Sequence, residues 1–179
     1  MIQKIKLYED SNSIITLYHG GNLDDFDYKT KNHTKGRSEM GRGLYLTDNK
    51  DHVLQQYSKG SRKKYKVELE LGNEASDVLI PAEKIEDLQV ILSRDAYKKF
   101  MERIKKFIEK YEGSVPADII NNTLVNMKLI KASNSADIVD FLVKNGVDYV
   151  TDSNHFGWGD TTYTVFNLSK IKNIERIKS

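Results

Sequence analysis

Apolar and polar positions change their period three times along the chain. Near the N-terminus, Ile14-Ile15-Thr16-Leu17-Tyr18 is a β-branched and aromatic run of the kind that fills a buried strand. Gly43-Leu44-Tyr45-Leu46-Thr47 is a second such run, and Asp48 or Asn49 suits the N-cap of a helix continuing to Tyr57. Lys64 to Leu71 alternates polar and apolar residues, the two-residue period of a half-buried strand. Between the first two runs, Gly21 to Arg42 is polar and long for a loop in a compact domain, and such loops are often functional.

The period then lengthens. Tyr97, Phe100, Met101, Ile104, Phe107, Ile108 and Tyr111 recur at helical spacing, with Ser93 placed to cap the start and Gly113 to end the helix. Another helix follows Pro116, and a third runs from about Ser135 to Asn145 with Gly146 as its C-terminal glycine. These stripes read as core. Strand patterns return at Val147–Thr151, Thr161–Asn167 and Ile171–Ile177. Strands at both ends around a helical middle predict an α+β domain. Its terminal segments would meet in one sheet system, and residues 81–146 would form a helical insertion. No internal repeat or linker-like stretch divides the 179 residues, a length that suits one domain over 1–179.

Composition removes several function classes. Lysine and arginine number 28 against 26 acids, and the net charge of +2 does not by itself argue for nucleic acid. Cysteine is absent, so there is neither a disulfide framework nor a cysteine metal site. His33, His52 and His155 lack metal-ligand spacing, so no metal is expected. The opening MIQKIKLYEDSNSI lacks the apolar core of a signal peptide, and no run approaches the ~18 apolar residues of a membrane span. The expectation is a soluble protein working in a cytoplasm, its own or that of a target cell. The phosphate-binding GxxxxGK[ST], a GxGxxG between strand and helix, and the GxSxG elbow are all missing.

Locally, His19 ends a predicted strand and is followed by Gly20 and Gly21. Paired glycines let a ligand approach the backbone and expose amide groups, although the same residues also read as a strand-ending turn. Gly41-Arg42-Gly43 has the same double reading, and Ser61-Arg62-Lys63-Lys64 reads as a solvated charge cluster.

The order of these segments says more than any one of them. Leu17-Tyr18-His19-Gly20-Gly21 precedes a loop, then Gly41-Arg42-Gly43-Leu44-Tyr45-Leu46-Thr47, then a helix reaching Gln56-Tyr57. The chain closes with Thr161-Thr162-Tyr163-Thr164-Val165-Phe166-Asn167-Leu168-Ser169-Lys170-Ile171. This succession resembles the ADP-ribosyltransferase superfamily in its His-Tyr-Glu branch, which includes poly(ADP-ribose) polymerases and diphtheria-toxin-like enzymes. That branch reads strand-His-Gly-Ser/Thr, then Gly-x-Gly-hydrophobic-Tyr-Phe/Leu, then Asn-Glu-Tyr-hydrophobic-Val-Tyr/Phe with a Ser/Gln-x-Ile turn. Gly146-Val147-Asp148-Tyr149 is similar to a strand in small bacterial and phage members.

The resemblance implies a split β-sheet around a cleft for NAD, used as co-substrate. It implies that His19 hydrogen-bonds the adenosine ribose and that Gly20 holds the nicotinamide carboxamide through its backbone. Tyr45 and Tyr57 would sandwich the nicotinamide ring, and Gly21 and Arg42 would complete the donor site. A planar cationic ring gains on the order of 1–2 kcal/mol per aromatic partner. Two positions depart from the pattern. Gly21 replaces the motif Ser/Thr, and Thr162 stands where the motif has its catalytic glutamate. Chain-elongating synthesis is therefore not expected, and transfer of single ADP-ribose units is. Asp160, two residues before Thr162, would share its strand face and could supply the carboxylate.

The resemblance thus implies a glycosyltransferase acting on a protein or nucleic-acid acceptor. Small members of the group act as toxins, effectors or phage-borne modifiers, with an inhibitory or target protein as partner and no membrane. The alternatives are a catalytically inactive NAD-binding or partner-binding module of the same fold, and a nucleic-acid-binding domain.

Overall fold

The computed structural model describes residues 13–23, 43–51, 53, 63–131, 133–153 and 159–178. Eight strands are present among them: β1 (Ile14–Gly20), β2 (Leu44–Thr47), β3 (Lys64–Glu70), β4 (Leu79–Pro81), β5 (Ser114–Pro116), β6 (Tyr149–Ser153), β7 (Thr161–Val165) and β8 (Ile171–Arg176). Five helices lie between β4 and β6: α1 (Ala82–Ile85), α2 (Leu88–Ile91), α3 (Arg94–Lys110), α4 (Ala117–Asn126) and α5 (Ser135–Lys144). The protein is an α+β fold. Its main sheet has six antiparallel strands in the order β6-β7-β2-β1-β3-β8, so the N-terminal and C-terminal strands do share one sheet.

Alternation decides which side of each strand is buried. In β3, Tyr65, Val67 and Leu69 are buried while their neighbours are half-buried. With Leu17, Leu44, Leu46, Tyr149 and Val165 they fill one face of the sheet. The other face of the β2–β7–β6 half meets the helices, where Val150 and Phe166 join a core containing Phe100, Ile104, Ile120 and Leu142. Helix α3 contributes Phe100 and Ile104 fully, with Tyr97, Met101, Phe107 and Ile108 packed against them. Its start is capped as expected, Ser93 Oγ accepting from the Ala96 N–H.

The helix ends differ from one another. Gly146 (φ +86°) closes α5: its N–H bonds Val143 O, and the Val147 N–H bonds Leu142 O. That is the paired arrangement which satisfies the last carbonyls of a helix. The same pairing ends α4, with Lys128 (φ 55°) at the left-handed position. At the end of α3 both Glu112 (φ 53°) and Gly113 (φ +92°) have positive φ, and the Gly113 N–H reaches back to Ile108 O, so the glycine takes part in the expected stop.

Three expectations are corrected. The small sheet of β4 and β5, paired from Leu79–Pro116 to Pro81–Ser114, interrupts the region expected to be wholly helical. The strand expected at Val147 begins at Tyr149, because Asp148 is diverted: its N–H bonds Asn73 O, and its carboxylate takes Asn73 N–H (2.8 Å) and Asn167 Nδ2 (2.7 Å). The strand expected to reach Asn167 stops at Val165, since the Phe166 and Asn167 N–H groups bond Asp148 O. Gly72 makes room for this junction, as a β-carbon there would fall 2.0 Å from Asp148 Oδ2.

Candidate functional site

The ladder between β1 and β2 consists of one residue pair, Tyr18 opposite Thr47, whereas β1 pairs with β3 along seven. The backbone directions beyond that pair follow from alternation. Gly21 N–H bonds Lys63 O, and Ile177 N–H bonds Lys64 O, so Lys64 turns its polar groups toward β8. Its partner Gly20 therefore turns its own N–H and C=O away from β3, toward β2. On β2, Asp48 N–H bonds Thr161 O, which makes Thr47 and Tyr45 the residues whose polar groups face β1. Gly20 and Tyr45 would be the next rung, but the register does not extend to them.

A side chain stands in for that rung. His19 Nδ1 lies 2.8 Å from Tyr45 O. A carbonyl only accepts, so Nδ1 carries a proton and donates it. The imidazole folds over Gly21, where an added β-carbon would sit 2.7 Å from Nε2. This accounts for glycine at a position where the resemblance expects Ser or Thr. Gly43 is constrained in the same way, because a β-carbon would lie 2.6 Å from Val165 O.

The other expected residues cluster on β2 and β7. Thr47 is paired with Thr162, and Tyr45 with Thr164. Asp160 precedes β7 and is 3% exposed, with Oδ2 accepting from Thr47 Oγ1 at 3.1 Å. Thr47 Oγ1 in turn accepts from the Asn49 N–H. Asn49 holds the N-cap position of the helical turn after β2, its carbonyl accepting from the Val53 N–H. Thr162 is 2% exposed, and its hydroxyl has no hydrogen-bond partner among the described residues. β7 begins at Thr161, so Asp160 lies just outside the strand whose face it was expected to share with Thr162. The carboxylate is held by a threonine of the neighbouring strand, a tie across 113 residues that no local pattern signals.

Convergence of side chains is partial. His19 meets Tyr45 through the Tyr45 carbonyl, while the Tyr45 ring packs against the helical core. Gly20 and Gly21 lie beside the imidazole at the end of β1. Tyr57 and Arg42 lie outside the described residues, as does most of the loop from Gly21 to Arg42. Sequence reasoning missed Thr47, which links Asp160, β1 and the turn after β2. Its only signal was a hydroxyl residue ending a strand at a predicted cap.

Beyond this junction, Tyr149 and Tyr163 form a tilted pair with centroids 5.8 Å apart. Burial, then the Glu74 carboxylate, and then smaller contributions from Tyr163, Asp77 and Asp148 push the Tyr149 phenol up to about 12. Burial, followed by Asp48 and Glu74, also raises that of Tyr163. Among the described residues no group of His, Asp and Glu is arranged to hold a metal, and no helix is long and apolar enough to cross a membrane. No protein-family model, curated protein or solved structure matches the chain.

Proposed function

We propose that the chain is a mono-ADP-ribosyltransferase that takes ADP-ribose from NAD and passes it to a macromolecular acceptor, on a split-sheet fold of the ADP-ribosyltransferase type. One observation carries the reading. The two motifs expected to bind the donor, His19-Gly20 and Gly43-Leu44-Tyr45, meet where the sheet opens after a single rung, joined by the His19–Tyr45 bond. A carboxamide needs one donor and one acceptor in fixed geometry. Gly20 turns both backbone groups toward that opening, which supports its assigned role. His19 Nε2 is a polar ring nitrogen of the kind that bonds a ribose hydroxyl in either protonation state.

Cleavage of the nicotinamide–ribose bond develops positive charge at the anomeric carbon, as in glycoside cleavage. The protein's part is to hold the donor, exclude water and keep negative charge near that carbon. Asp160, two residues before Thr162, is the carboxylate proposed to stand in for the motif glutamate. A second reading, an NAD-binding module without catalysis, is favoured by the hold of Thr47 on Asp160 and by the uncharged Thr162.

Incubation with NAD and chromatography of released nicotinamide separates the two readings. Labelled NAD in a cell lysate, followed by protease or nuclease, then reports the acceptor class. His19→Ala removes a ligand bond and the tie to Tyr45, together worth ~2 kcal/mol, so NAD affinity should fall roughly 30-fold. An unchanged dissociation constant would overturn the assignment.

A further inference from the structure

The helical insertion carries a feature that the donor site does not use. Helix α3 holds seven lysines and arginines against three acids, so the rest of the chain is slightly acidic and the net charge of +2 conceals a strongly basic element. Between α3 and α4 runs an open groove of about 720 Å³. Lys99, Arg103 and Lys106 line its α3 wall. They are spaced by four and three residues, rises of ~6 and ~4.5 Å along one side of the helix. None of the three forms an ion pair among the described residues. The α4 wall adds no charge of either sign. It presents Asn122, Thr123 and Asn126, with Ile119 and Met127 as apolar floor.

We propose that this groove binds single-stranded nucleic acid. The binding does not rest on the function proposed above. Unpaired cations in a row about 10 Å long match consecutive phosphates of one strand. Two asparagines one helical turn apart offer amide donors and acceptors to base edges. Phe107, also in the lining, lies beneath Lys106 Nζ at 4.9 Å; outside the lining, at the end of α3, Lys110 Nζ lies 5.2 Å from the Tyr111 ring. Cations interleaved with aromatic faces are how non-specific single-strand sites combine backbone attraction with stacking. An acidic peptide would use the cations but has no need of the amide row or the rings. Glu102 is the one acid in the lining, and it leaves the groove with a clear cationic excess.

The test is fluorescence anisotropy of a labelled 12-nucleotide RNA with the full chain and no NAD, read at several salt concentrations. Three phosphate contacts predict a slope of log affinity against log salt of about −2. The triple variant Lys99→Gln/Arg103→Gln/Lys106→Gln should weaken binding at least about tenfold and flatten that slope. Lys84→Gln on α1 should change neither. All of these side chains are exposed, and circular dichroism checks the fold. Equal binding by the triple variant, or a poly-glutamate peptide that competes better than RNA, would overturn the proposal. RNA binding without nicotinamide release would leave the groove standing and remove only the transferase reading.

Discussion

Gly21→Ser restores the hydroxyl residue that the His-Gly-Ser/Thr pattern expects, and the geometry predicts that it is harmful here. The new β-carbon would sit 2.7 Å from His19 Nε2. Ordinary contact needs roughly 3.5 Å, so the imidazole must swing aside. Doing so breaks the 2.8 Å bond to Tyr45 O. Losing such a bond costs about 1 kcal/mol, and a partly buried carbonyl left without it adds up to ~1 kcal/mol. A total of ~1–2 kcal/mol should lower the melting temperature by several degrees for a domain of this size. If NAD uses the imidazole where it lies, affinity should fall by roughly 5–30-fold. The assay is a double-mutant cycle with His19→Ala, followed by thermal unfolding and by NAD titration. The backbone at Gly21 (φ +155°) itself disfavours a β-carbon, so the double variant should fall below His19→Ala by that backbone strain and lose only the part of the penalty that acts through the imidazole. A Gly21→Ser protein as stable as the parent would refute the reasoning, as would a penalty undiminished once the imidazole is gone. The unfolding half of the cycle needs no assumption about NAD.

Two further outcomes follow from features outside the junction. Glu112→Gly and Lys128→Gly replace side chains held at φ 53° and 55°, and each should raise stability by about 0.5–1 kcal/mol in urea unfolding; an unmoved midpoint would mean that the strain is absorbed elsewhere. Because Tyr149 stays neutral in the fold up to about pH 12, against 10 for an ordinary phenol, its contribution is complete below pH 10 and is lost as pH rises toward 12. Urea midpoints measured across that window should fall, and Tyr149→Phe should remove much of the fall; a flat profile in the parent would contradict the burial of this phenol.

What could be read beforehand was what local pattern encodes. Strand β3 was legible because burial on one face imposes a strict two-residue alternation from Tyr65 to Leu69, and α3 because its apolar stripe exceeds four turns. Strands β4 and β5 were not, since each is three residues long, each ends in a proline, and their pairing spans the whole of α1 to α3. The start of β6 moved because Asp148 makes its bonds to Asn73 and Asn167, contacts decided by tertiary packing. At the site, His19 and Tyr45 could be singled out as residues, but their bond could not. It depends on β1 and β2 parting after one rung, and two strands that pair fully would present the same local sequence. Thr47 and Asp160 illustrate the same limit, since a short polar residue at a strand end carries no mark of a partner 113 positions away.

The strand order also sets a timetable for the emerging polypeptide. Leu44–Thr47 has its full ladder with Thr161–Val165, more than a hundred residues later, and on the other side one rung to Tyr18 and the bond from the His19 ring. During synthesis the first and third strands can zip together early, while the second waits at an open margin until Thr161–Val165 has left the ribosome. The core over the helices also waits for Val150 and Phe166, so closure of the sheet and completion of that core come late and together, when unpaired edges are most exposed to aggregation or to a chaperone's grip.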